Sequence, residues 1–254
     1  MSTPTTPTAP DHDQHLMAIA LTAELAGRAP QQPLSPARFW AVHAELGGDL
    51  RAASSCDDVT LRQLARRTAG AALHASELQG QGISLITPFH AHYPQRYLER
   101  LGELAPPLLY VAGDPAVLAD PDRPRLAVVG SPVATEAELD AVRTAVRAAV
   151  ARGWEVVSGD AEGIEAAALN AAVEAGGTVI ALLTQGVRRA LRRGALRRLV
   201  SAGQATLTAP VHPDADGRSR TTLPRDHLIH ALAGVSYPVT VAGSGGTDQQ
   251  HLFE

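Results

Sequence analysis

The sequence predicts an α/β protein, a Rossmann-like doubly wound parallel sheet with a small all-α module on its N-terminal side. Three observations predict it. From Leu126 onward, short β-branched runs alternate with amphipathic helical stretches at the spacing of βα units. Glycine-bearing turns follow several of those runs, at the carboxyl ends of strands where open α/β sheets bind ligands. Residues 12–80 hold helical patterns and no strand signal.

Taken in order, residues 1–11 (opening MSTPTTPTAP) lack the basic start and apolar run of a signal peptide and read as a disordered lead. The module at 12–80 should carry helices at 15–26, 37–46, 60–67 and 70–79. Ser35-Pro36 offers the second helix an N-cap and a first-turn proline, and Gly47-Gly48 stops it. Asp11-x-Asp13 and Asp57-Asp58 fit capping or solvated acids. Residues 81–125 extend into the sheet, with a strand at 82–87, a short helix near 96–101, a strand within 105–114 and a polar, proline-bearing seam at 119–125. The Rossmann-like domain at 126–254 then takes strands at 126–130, 154–158, 178–183, 205–209 and 237–242. Its helices fall at 136–152, 163–175, 188–202 and 224–233, and another begins near Thr247. A doubly wound sheet would normally continue past Glu254, so the expectation is a truncated version or a sheet short on one edge.

Composition narrows the function. Apolar residues make up 45% and aromatics 4%, so the core is built from small aliphatic side chains. The single cysteine, Cys56, excludes an internal disulfide and a thiolate-rich metal site, and fits a reducing cytoplasm. No apolar run reaches the roughly 18 residues of a membrane span. The formal net charge of -4 means that any face for nucleic acid must be a local basic patch.

Three turns have the composition of anion holders: Gly130-Ser131-Pro132, the stretch Ser158-Gly159-Asp160-Ala161-Glu162-Gly163-Ile164-Glu165, and Gly243-Ser244-Gly245-Gly246-Thr247. Glycine lets the backbone approach a ligand, and a following helix N-terminus offers free N–H groups. Glycine is also simply what strand-to-helix turns need. None of the three reproduces G-x-G-x-x-G, so no dinucleotide is expected, and no other cofactor is indicated.

These residues carry a family resemblance. Gly82–Thr87, Tyr93-Pro94 and Pro106–Asp114 look like the approach segment of the DNA-processing protein A family (DprA, also called Smf). Leu126–Ser131 resembles that family's first strand and its glycine–serine–arginine turn. Val156–Glu165 resembles its serine–glycine–x–alanine–x–glycine–isoleucine–aspartate turn. Gly176–Leu183 matches the strand after it, and Pro224–Leu232 sits where the family opens a helix with arginine–asparagine–arginine or lysine. The resemblance runs from about residue 80 to the end. It implies a Rossmann-like core of the DprA/LOG superfamily, single-stranded DNA binding, a homodimer, and transfer of DNA to a RecA-type recombinase in transformation, without catalysis. By position it implies nucleic-acid contacts from Gly130, Ser131, Ser158, Gly159, Gly163, Arg225 and His227.

The departures fall in the same places. The family arginine is Pro132, the second turn carries Glu162, its closing aspartate is Glu165, and the last segment reads Arg225-Asp226-His227. A pocket with fewer cations releases fewer counterions and binds phosphate more weakly. A replacement is available in Arg188, Arg189, Arg192, Arg193, Arg197 and Arg198. On one continuous helix, Arg189, Arg193 and Arg197 would share a side, through sequence-independent phosphate contacts or as a solvated face.

Other patterns point nowhere specific. His90-x-His92 and His227-x-x-His230 have ligand spacing but no supporting cysteines or carboxylates, so no metal site is expected. Ser158 has no nucleophile-elbow context or partner base, so no catalytic residue is named. Two Trp, four Tyr and three Phe leave little for base stacking. Two alternatives remain. One is a nucleotide-binding or LOG-like phosphoribohydrolase, invited by Gly245-Gly246-Thr247 and Glu254. The other is a relative that binds only protein.

Overall fold

The structure is a computed structural model that describes residues 10–25, 32–217 and 223–238. The Asp11 carboxylate accepts from the N–H groups of Asp13 and Gln14 and so starts α1 (His12–Thr22) three residues earlier than the apolar pattern suggests. Ser35 caps α2 (Pro36–Glu45) with Pro36 in its first turn. A 3-10 turn at Leu50–Ser54 leads to α3 (Val59–Ala65), which Asp58 caps, and to α4 (Thr68–Gly80). The extension supplies β1 (Ile83–Ile86), α5 (Gln95–Leu101), β2 (Leu109–Ala112) and α6 (Ala116–Ala119). Alternation follows: β3 (Arg125–Val129), α7 (Glu136–Ala151), β4 (Glu155–Gly159), α8 (Ile164–Glu174), β5 (Val179–Leu182), α9 (Val187–Leu191), α10 (Gly194–Ser201), β6 (Ala205–Ala209), α11 (Arg225–Leu232) and β7 (Val235–Pro238).

These strands form one sheet in the order β1-β2-β6-β5-β4-β3-β7. Strands β3 to β7 are mutually parallel, as the α/β fold class requires. The extension adds an antiparallel pair, β2 on β6 and β1 on β2, so the sheet is mixed. Antiparallel neighbours need no crossover helix, which lets an extension join an edge. Side-chain alternation along the strands divides the core. Ala127, Val157, Ile180 and Leu182 pack with Leu228 and Ile229 of α11 and with Phe39 and Trp40 of α2. Leu126, Val128, Val156 and Ala181 pack with Val142 and Val146 of α7 and with Ala168 and Ala172 of α8. Helix α1 joins both, Met17 and Leu21 on one side and Ile19 and Ala20 on the other. From β3 the strands advance one way through β4, β5 and β6, while β7 lies on its other flank. The switch point of the sheet is therefore between β3 and β7, beside Gly130.

Two expectations need correction. The arginine-rich stretch is not one helix over 188–202. Helix α9 ends at Leu191 with Arg192 as its C-cap, Arg193 is extended at φ -73° and ψ 111°, and α10 starts at Gly194. Glycine is a poor helix interior residue, and the 213–215 loop ties down α9 through Arg189 N–H to Pro213 O and Gly186 N–H to Ala215 O. The last strand begins at Val235 rather than Tyr237, pairing Leu126 with Val235 and Val129 with Pro238. Pro238 thus ends its described part, on an edge strand where a missing N–H is tolerated. Residues 239–242 of the expected strand, the Gly243–Thr247 turn, the helix near Thr247 and Glu254 lie outside the described residues.

Candidate nucleic-acid interface

The turns after β3 and β4 close on each other. A Cβ on Gly130 would meet the Ile164 side chain at 2.6 Å. Gly163 has φ +72°, and a Cβ there would meet the carbonyl oxygens of Ser131 and Pro132 at 2.5 Å. A Cβ on Gly159 would overlap the Glu165 carboxylate and the Arg225 guanidinium. Glycine is therefore used here for protein-to-protein approach. Donors that might face an anion are engaged as well. Ile164 N–H donates to Ser131 O (3.2 Å), and Ala161 N–H to Glu165 Oε2 (3.0 Å). Ser131 Oγ accepts from Val133 N–H (3.0 Å). Ser158 is fully buried, its hydroxyl donating to Val128 O (2.7 Å). Pro132 is exposed and has no N–H to offer.

Charges complete the closure. Arg225, at the start of α11, places Nη2 2.5 Å from Glu165 Oε1 and Nη1 3.6 Å from Asp160 Oδ1, with Asp226 3.7 Å away. The other Asp160 oxygen accepts from Gln185 Nε2 (2.9 Å) and lies 3.6 Å from Arg193 Nη1. The Asp160 and Glu165 side chains are 7% and 1% exposed. Burial pushes the Glu165 carboxyl above the usual carboxylate range, against the pull of Arg225 and a hydrogen bond from Ala161. Two carboxylates thus face two guanidiniums. His227 lies half-buried in the first turn of α11; its Nδ1 and the Nε of Arg225 have no hydrogen-bond partner among the described residues.

Outside this crevice the arginines of α9 and α10 divide by partner. Arg188 pairs with Asp214, and Arg192, 71% exposed, lies 3.8 Å from the same acid. Arg189, Arg197 and Arg198 are exposed and form no ion pair among the described residues. Helix α10 packs its Leu196, Leu199 and Val200 side partly into the core, which leaves its arginines in solvent. A larger cleft of about 810 Å³ sits elsewhere, between Pro33, Pro36, Arg67, Pro107, Tyr110 and Asp214, and holds none of the glycine turns.

Of the residues singled out by sequence, the structure gathers Gly130, Ser131, Ser158, Gly159, Gly163 and Arg225 at one end of β3 and β4. Arg193 joins them only through Asp160. Arg188 and Arg192 cluster separately on Asp214, and Arg189 stands apart from both. Sequence reasoning missed Asp160, Gln185 and Asp214. Asp160 follows Gly159 within a turn already of interest, and its charge there was the available signal. Glu162, by contrast, is exposed and forms no ion pair among the described residues. Among the described residues no three His, Cys, Asp or Glu gather as a metal site, and the His90 and His92 rings meet edge-on, centroids 5.2 Å apart. No helix among them is long and apolar enough to cross a membrane.

The family model for DNA recombination-mediator protein A matches residues 84–249, well over half of the chain. The chain belongs to that family. DprA of Streptococcus pneumoniae shares its fold at a TM-score of 0.58 and 18% identity, over 88% of this chain and 76% of that one. DNA processing protein A of Helicobacter pylori, whose structure concerns single-stranded DNA binding, aligns at a TM-score of 0.49 and 22% identity, over 61% of this chain and 67% of that one. No curated protein matches the chain. The DprA-type region of the sequence thus takes in β1 and β2 as well as the parallel strands.

Proposed function

We propose that this DprA-family protein binds single-stranded DNA chiefly through the exposed arginines of α9 and α10, and only weakly through the inherited glycine crevice. The observation that carries the reading is that Arg189, Arg197 and Arg198 are exposed without acid partners among the described residues, while the crevice arginine, Arg225, is held by Glu165 at 2.5 Å. Free guanidiniums release phosphate counterions on binding; paired ones first have to give up a carboxylate. Contacts of this kind go to the backbone and carry no sequence preference. Family membership supports the wider role, a cytoplasmic homodimer that hands DNA to a RecA-type recombinase. No residue is assigned to catalysis.

Fluorescence anisotropy with a labelled oligo(dT) strand tests it. Binding at low salt should weaken as salt rises, by roughly 0.7 log units per log unit of salt for each phosphate contact. Replacing Arg189, Arg197 and Arg198 together by Ala should remove most of the affinity. Absent or salt-insensitive binding by the unaltered protein would overturn the reading.

A further inference from the structure

Asp160 directly follows β4, at the carboxyl ends of the parallel strands, the edge on which open α/β sheets bind ligands. Its carboxylate is nearly buried, held by Gln185, and turned toward a guanidinium on each side, Arg193 and Arg225, both at 3.6 Å. A carboxylate and a phosphate oxygen present the same charge to a guanidinium. We propose that Asp160 is a built-in counter-ion that competes with DNA phosphate for Arg193 and, to a smaller degree, for Arg225, and so sets how tightly this chain holds a single strand.

The geometry explains why the two arginines differ. Arg225 is 16% exposed and has a second, closer acid in Glu165 at 2.5 Å, so it stays bound when Asp160 loses its charge. Arg193 is 55% exposed and Asp160 is its acid partner, so its guanidinium is the group set free. At 3.6 Å the contact is Coulombic rather than a hydrogen bond, and a partly exposed pair of this type is weak enough for an incoming phosphate to displace. Arg193 also stands at the break between α9 and α10, at the near end of the exposed arginine face. Freed, it would join Arg197 and Arg198 on the same strand. The inference rests on the strand-binding reading above, and its test separates the two.

Asp160→Asn keeps the shape and an acceptor for Gln185 while removing the charge. Oligo(dT) affinity should tighten about tenfold at low salt, and the salt slope should steepen by roughly 0.7 for the one cation released. Adding Arg193→Ala to that variant should cancel the gain. Glu162→Gln removes an exposed charge, without an ion pair among the described residues, from the same turn and controls for general electrostatics. If the unaltered protein binds but Asp160→Asn is no tighter than Glu162→Gln, the counter-ion proposal fails and strand binding stands. If no variant binds, both fail. If only Asp160→Asn binds, and does so through Arg193, strand binding by the unaltered protein is overturned while the role of Asp160 as counter-ion to Arg193 stands. Should Asp160→Asn not fold, Asp160→Ser removes the same charge and is judged by the same criteria.

Discussion

Gly163 and Gly176 share a left-handed backbone, at φ +72° and +77°, but not the same surroundings. Around Gly176 a Cβ would find open space, so Gly176→Ala should cost only the conformational penalty, about 1–2 kcal/mol. At Gly163 the same Cβ would strike the Ser131 and Pro132 carbonyls, backbone atoms that cannot step aside. Strain and overpacking then add, and Gly163→Ala should cost about 3 kcal/mol or more. Urea denaturation of both variants checks the difference; equal losses would contradict the closed crevice. That a glycine is needed in such a turn is legible in the sequence. Whether the space beside it belongs to a phosphate or to another loop is not, because Ser131 and Pro132 arrive from a different strand end.

At the scale of the element, α1 docks on the turn after β1 through a buried imidazole. His15 Nδ1 lies 2.8 Å from Thr87 Oγ1, its ring lies tilted against His90 with centroids 5.0 Å apart, and Asp11 N–H donates to Phe89 O. Burial, with His90 and His12 adding to it, depresses His15 from 6.5 to about 4. The unfolded chain therefore takes up this proton before the folded one. Stability from this group is complete above about pH 6.5 and is lost as pH falls toward 4, by on the order of 3 kcal/mol. Thermal melts between pH 7 and pH 4 should show that decline, and His15→Asn should flatten it. Periodicity announces α1 as an apolar helix from about His15 and leaves Asp11 open between a cap and a solvated acid. The partner turn, seventy-odd residues along, is visible only once β1 is placed.

For the whole molecule, one ion pair ties the amino ends of the central strands to α6 and to the chain entering β5. Arg125 and Glu155, the first residues of β3 and β4, meet at 3.2 Å with side chains 0% and 3% exposed. Arg125 also donates to the Val117 carbonyl beside α6, and Thr178 donates to Glu155 Oε1 at 3.3 Å. Removing one member strands a buried charge, so Glu155→Gln should cost about 3–5 kcal/mol in a denaturant titration. Arg123, 42% exposed and 3.4 Å from the same carboxylate, is a surface partner, and Arg123→Ala should stay within about 1 kcal/mol. Similar losses for the two would mean that the buried pair does not bear the load assigned to it.

The amino-acid sequence by itself determined the βα alternation from β3 to β6, the helical leading module, the cap at Ser35, and the family resemblance, all of which depend on local periodicity and turn chemistry. Only the tertiary structure decided that β1 and β2 extend the sheet antiparallel, that the arginine run breaks at Arg193, and that Asp160 sits between Arg193 and Arg225. Those outcomes turn on which distant segments pack together. A residue's charge can be read from its type, but whether that charge faces solvent, a phosphate or another side chain depends on what the fold brings beside it.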